Sequence, residues 1–170
     1  MGGVLMIILA LVVIAAVMSI AYYNTFVRLR NQSDEAFSTM DVYLKKRYDL
    51  IPNLVETVKH YAIHEKETLE KVISARTMAM GSQSIDERVQ NENMLSGTLK
   101  SLFAVSESYP DLKADTSFLN LQNQLSSIEN EISQARKYYN GAVRALNTKI
   151  EMFPSNIVAN MAGFKKYPFF

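Results

Sequence analysis

The sequence predicts an all-α protein: an N-terminal transmembrane helix followed by an antiparallel helical bundle of about four long helices. Three observations predict it. In residues 4–23 the only polar side-chain groups are those of Ser19, Tyr22 and Tyr23. From Asn24 onward, apolar residues recur at spacings of three and four, and no stretch alternates long enough to suggest a strand. Six glycines and four prolines in 170 residues leave few turn signals, which favours long helices.

The apolar run comes first. As a helix it would extend roughly 30 Å, the thickness of a bilayer's hydrocarbon layer. Tyr22 and Tyr23 stand where interfacial aromatics belong, and Arg28, the first charged residue, lies just beyond with Arg30. Ser19 and Ala21 would suit a signal-peptidase site, but no basic residue precedes the run as a signal peptide requires. The reading is a retained anchor over residues 1–27, a helical bundle over 28–153 and an aromatic tail over 154–170. Basic residues follow the span and none precedes it, which predicts a single-pass protein of the cell (inner) membrane with the N-terminus outside and the helical domain cytoplasmic.

The remaining elements follow from their stripes. The first carries Phe26, Leu29, Ser33, Phe37, Met40, Leu44 and Tyr48, with nothing to break it from the anchor. Pro52 interrupts this pattern, and the sequence leaves open a kink or a chain reversal there. A second stripe runs through Val55, Val58, Ala62, Leu69, Val72 and Ala79 to a C-cap at Gly81. Ser84 and Glu87 fit a capping box for a third segment with Leu95, Leu99, Leu102, Val105 and Tyr109, which Pro110 stops. Asp115 or Thr116 caps the fourth. There Phe118, Leu121, Leu125, Ile128, Ile132, Ala135, Tyr139, Ala142 and Leu146 form a coiled-coil-like seam that ends before Pro154. Gly141 inside this helix predicts close approach of another helix.

Charge and motifs narrow the function. Eighteen basic against seventeen acidic residues give no general bias toward nucleic acid. With no cysteine there is no disulfide, thiol catalysis or iron–sulfur ligation among these residues. Phosphate-binding glycine loops, nucleophile elbows and zinc-protease motifs are absent, so no catalytic residue, metal site or cofactor is assigned. His60 and His64 have metal-like spacing for one helix face, but the bland reading as surface residues prevails. The charged residues Asp41, Lys45, Lys46, Arg47, Asp49, Glu56 and Lys59 suggest interhelical pairing or a solvated face. Glu129, Asn130, Arg136, Tyr138, Tyr139 and Asn140 form a polar cluster with two readings. One is a bundle network in which Arg136 pairs a carboxylate; the other is a recognition face. The tail residues Phe153, Phe164, Tyr167, Phe169 and Phe170, with Lys165 and Lys166, suit a bundle cap, a membrane contact or a subunit contact.

Several blocks resemble the LemA family. The first is Asp41-Val42-Tyr43-Leu44-Lys45-Lys46-Arg47-Tyr48-Asp49-Leu50-Ile51-Pro52-Asn53-Leu54-Val55-Glu56, followed by Tyr61-Ala62-Ile63-His64-Glu65 and Ala75-Arg76. The second centres on Tyr109-Pro110-Asp111-Leu112. The third joins Glu129 and Asn130 to Arg136-Lys137-Tyr138-Tyr139-Asn140, Asn147 and Phe153-Pro154-Ser155-Asn156. Phe37 stands where the family often has Trp, and His60 where it often has Gly, which leaves only His64 in the family pattern. The resemblance implies a bacterial single-span membrane protein with a helical domain, no established enzymatic activity, and association with other membrane proteins such as a membrane protease.

The functional expectation is a membrane-anchored helical scaffold or interaction protein, self-associating and non-catalytic. The alternatives are an accessory or regulatory subunit of another membrane protein, such as a membrane protease, and a membrane-shaping oligomer. A metal- or small-molecule sensor using Tyr61, His64 and Tyr139 is a further, weaker class. The expected partners are membrane lipid, further copies of the chain and another membrane protein, with no nucleic acid.

Overall fold

A computed structural model describes all 170 residues, in six helices and no strand. They are α1 (Gly2–Tyr61), α2 (Lys66–Met80), α3 (Ile85–Ser106), α4 (Pro110–Ala114), α5 (Thr116–Glu151) and α6 (Ser155–Ala162). The chain divides into two compact units. One comprises residues 1–38 and 137–169, the other 39–136 with Phe170. Helices α1 and α5 each contribute to both.

In the unit of residues 39–136, cross-helix pairs fix the directions. Arg47 of α1 reaches Ser96 of α3 and Glu129 of α5, Arg76 of α2 reaches Tyr48 of α1, and Tyr61 of α1 meets Asp115 at the start of α5. Helices α1 and α3 therefore run one way, and α2 and α5 the other, an antiparallel four-helix arrangement. Its core is built largely from the stripes read in the sequence: Met40, Leu44 and Val58 of α1, Leu69 and Val72 of α2, Leu95, Leu99 and Leu102 of α3, and Phe118, Leu125 and Ile132 of α5 are all buried, and so are Ile51, Leu54 and Ala75, which lie outside those stripes.

The other unit holds the apolar span at its N-terminal end, where residues 1–21 are exposed throughout. This is the chain's one helix that is long and apolar enough to cross a membrane. Beyond the span, Phe26, Leu146 and Ala159 form a core against which Tyr22, Leu29, Ile150, Val158, Phe164 and Tyr167 pack.

The chain reverses at Ala62–Glu65, not at Pro52: α1 runs unbroken through Pro52 to Tyr61. A mid-helix proline removes one N–H and leaves the carbonyl four residues earlier without its helical donor. That carbonyl belongs to Tyr48, a buried residue, and the Arg76 Nε–H donates to it at 2.8 Å. A partner from the neighbouring helix thus closes the gap, and helix geometry survives. At the true turn, Glu65 occupies the N-cap of α2 without a side-chain cap, its carboxylate accepting from the Tyr109 hydroxyl instead.

Other ends refine the sequence reading. Ser84 Oγ accepts from the Glu87 amide as expected, but the Glu87 carboxylate returns to the amide of Gln83 rather than Ser84. Pro110 does not stop the third helix; α3 ends at Ser106, and Pro110 opens α4 at its first turn. Asp115 caps α5, accepting from the Phe118 amide at 2.9 Å. That amide and the Tyr61 hydroxyl hold the Asp115 carboxyl below its ordinary value. Gly141 is exposed, and a Cβ there would meet nothing within 4 Å, so no helix approaches it closely.

Two outcomes follow for full-length protein in detergent micelles. Arg76→Met should cost about 1–3 kcal/mol by stranding a buried carbonyl, and distinctly less in a Pro52→Ala background, where the restored amide supplies the donor. Thermal melts of the four proteins in that cycle measure the difference. Gly141→Ala should raise stability by about 1 kcal/mol, because the glycine's conformational entropy is not offset by any contact it permits.

Candidate functional site

The strongest polar constellation is buried in the unit of residues 39–136. Arg47 lies on the apolar stripe of α1, between Leu44 and Ile51, and is 1% exposed. Its Nη1 donates to Ser96 Oγ at 2.8 Å and to Glu129 Oε2 at 2.7 Å, and its Nη2 pairs with Glu92. The Tyr48 hydroxyl donates to the other oxygen of Glu92. Nearly two turns earlier, Asp41 pairs with Arg88 of α3 and with Lys45 of its own helix.

Two opposite shifts result. Burial pushes the Glu92 carboxyl above its ordinary value; Arg47 pulls it down, but the neighbouring Glu129 and Asp41 carboxylates add to the rise. Burial also raises Asp41, yet Lys45 and Arg88 outweigh it and hold that carboxyl below the usual range. Arg47, Ser96 and Glu129 border an open cavity of about 190 Å³, but their polar groups are engaged with one another, so the network is suited to holding helices in register.

A second feature is an open groove of about 410 Å³ in the same unit, between the end of α1 and α2. Its floor includes Val55, Ala62 and Leu69; Ile63 and Ile73 are exposed large apolar residues along it. Glu56, Lys59, Lys66 and Glu70 supply charges of both signs at its rim.

The sequence-derived cluster on α5 does not form one face. Glu129 joins Arg47 while staying half exposed, Asn130 and Tyr138 point to solvent, and Asn140 is half-buried. Tyr139 is in the core of the other unit, where its hydroxyl donates to the Pro168 carbonyl at 2.8 Å. Burial, with Tyr167 and Asp34 nearby, pushes that phenol up to about 12. Arg136 pairs no carboxylate here; its guanidinium lies over the Phe170 ring, 5.1 Å from the centroid.

Among the motif residues, Asp49, Pro52, Asn53 and His64 are exposed. His60 is in the last turn of α1 and His64 lies in the turn that follows the helix, so the two histidines do not share a helix face. Tyr61 and Tyr139 belong to different units, each with its hydroxyl engaged elsewhere.

In the span-containing unit the tail folds onto the helices. Asn147 makes paired bonds with the backbone of Tyr167, at 2.8 and 2.9 Å. The Tyr167 hydroxyl donates to Asp34, and Phe164 stacks on Phe26 with centroids 5.1 Å apart. Tyr23 meets Phe164 edge-on, Arg30 lies over the same ring, and Lys149 lies over Tyr22, while Arg28 is exposed. Pro154 precedes α6, and Asn156 is half-buried within it.

Sequence reasoning missed Glu92, Ser96 and Arg88. The signal was present: stepping back from Leu95 by three, and from there by four, reaches Glu92 and Arg88 on the inward stripe of α3.

The buried pair makes a sharp energetic expectation. Arg47→Met strands Glu92 and should cost about 3–5 kcal/mol, whereas Arg47→Met with Glu92→Leu should recover much of the loss. The pH sign is also fixed. The folded state binds the Glu92 proton more tightly than the unfolded chain does, so its contribution is present below the ordinary value of 4.5 and lost as pH rises through the raised value. Wild-type melting temperature should therefore fall relative to Glu92→Gln as pH climbs above 4.5.

Comparison with known proteins gives a consistent picture. The magnetosome protein MamQ 2 of Paramagnetospirillum magneticum is 23% identical over 193 residues, covering 98% of this chain and 71% of that protein. Protein LemA of Metamycoplasma hominis is 28% identical over 138 residues, covering 80% and 63%. The MamQ protein of Magnetospirillum gryphiswaldense is 21% identical over 174 residues, covering 87% and 64%. The chain thus spans just under two thirds of the latter two proteins. None of these names denotes an enzyme. The apolar helix and these relatives point to a membrane-associated protein, and because the LemA family pattern matches residues 36–170, the chain belongs to the LemA family.

Proposed function

We propose that this protein is a membrane-anchored, non-catalytic scaffold that self-associates in the plane of the inner membrane, with its helical units on the cytoplasmic side. One observation carries the reading. The exposed apolar span and the core-forming stripe lie on a single unbroken helix, α1, so the anchor and the packed domain are made from one element.

The groove at the end of α1 supports self-association. Ile63 and Ile73 leave apolar surface in water, and the mixed rim of Glu56, Lys59, Lys66 and Glu70 is complementary to itself under a two-fold axis. Arg28 and Arg30 beyond the span, with no basic residue before it, support the cytoplasmic side. The relatives named as magnetosome proteins support a place at a membrane.

The absence of cysteine makes single introduced thiols unique reporters. In intact spheroplasts a membrane-impermeant maleimide should label Gly3→Cys directly, and Gln83→Cys only after permeabilisation; the reverse pattern overturns the orientation. In bilayers, a bifunctional maleimide should link Ile63→Cys copies into dimers. Loss of linking when Ile73→Asp is added, without a fall in melting temperature, is the expected control. Monomers alone at high protein density would overturn self-association and favour an accessory subunit for another membrane protein.

A further inference from the structure

We propose that α6 and the residue pair preceding Pro154 form a second membrane contact, an interfacial helix seated in the leaflet where the α1 span ends. It rests on the anchoring reading above and adds a lipid-binding surface outside the span. Ile157 and Met161 are one step of four apart on α6, so they share a face, and they are 49% and 84% exposed; Phe153, in the turn that leads into α6, is 79% exposed. Met152 is exposed beside them. The opposite face is occupied: Ser155 and Ala159 are buried, and Val158 packs on the core around Phe26 and Leu146. Helix α6 carries no charged residue. Of its exposed residues Ile157, Met161 and Ala162 are apolar and Asn160 is polar but uncharged, a face costly in water and favourable at the boundary of acyl chains and headgroups.

Its position selects lipid over other occupants. Val158, Met161 and Ala162 line an open groove of about 320 Å³ together with Ser19, Ile20 and Tyr23, the last turn of the apolar span. The stripe is therefore continuous with a surface that must itself meet lipid if α1 crosses the bilayer. Cationic groups frame it: Arg30 over Phe164, Lys149 over Tyr22, and Lys165 and Lys166 immediately after α6. Aromatic rings and cations at one level are the usual furnishing of the headgroup layer.

The test uses full-length protein in vesicles of phosphatidylcholine and phosphatidylglycerol, with an environment-sensitive fluorophore on single introduced cysteines. Lipids carrying spin labels at shallow or deep acyl positions act as quenchers. Label at Met161→Cys and at Phe153→Cys should lose about half its emission or more to the shallow quencher, as an interfacial depth of roughly 5–10 Å requires. Label at Leu11→Cys should respond to the deep quencher, and label at Gln83→Cys to neither. If Leu11→Cys is quenched while Met161→Cys and Phe153→Cys are not, the interfacial helix is overturned and the anchor stands. If Leu11→Cys is unquenched, the anchor itself fails. Blue-shifted but unquenched emission at Met161→Cys would mean that protein covers the stripe, which also overturns lipid as the occupant. All four labelled positions are exposed, and circular dichroism of each labelled protein checks that its helix content is unchanged.

Discussion

Arg47 and Tyr48 are the point from which the unit of residues 39–136 is organised. The Arg47 guanidinium binds Glu92 and Ser96 on α3 and Glu129 on α5, the Tyr48 hydroxyl binds Glu92, and the Tyr48 carbonyl takes the donor that Arg76 extends from α2. Two consecutive residues of α1 thus hold all three partner helices. A buried ion pair is a poor source of net stability, because desolvation consumes much of its attraction. What it supplies is selectivity among registers: sliding one helix by a turn would bury the charge without its partners. The apolar stripes, built from interchangeable aliphatic residues, lack that discrimination.

The helix-spanning proline belongs to the same logic. A proline in a buried helix normally breaks it or strands a carbonyl. Here the stranded acceptor is a docking point for α2, converting a defect of α1 into a tertiary bond. The Asp-Leu-Ile-Pro-Asn stretch at 49–53 and Arg76, far apart in the chain, are thereby parts of one feature.

Much of the fold was legible in the residues. The stripes gave the buried faces of α2, α3 and α5 almost position by position, because apolar periodicity reports burial directly. Kink and reversal stayed open at Pro52, since proline is a local signal and Arg76, which cancels it, lies twenty-four residues on. Gly141 misled for a related reason: a glycine permits close approach but does not cause it. The polar cluster on α5 was legible as composition, yet its members face different ways around the helix, and only Glu129 reaches the buried network. Arg47 could be read as an interhelical pair or a solvated charge; the partner Glu92 was not legible, because pairing across helices leaves no mark in the local sequence.

The tail after α6 is held by the rings of Phe164, Tyr167 and Phe170 and, between them, through its backbone. Asn147 reads both polar groups of the Tyr167 main chain, and Tyr139 reads the Pro168 carbonyl. Such contacts register the path of the chain and ignore most of the side chains along it. Lys165, Lys166 and Phe169, all exposed, can therefore diverge while the trace stays the same. Divergent tails on an unchanged frame would let one architecture meet bilayers of different surface charge.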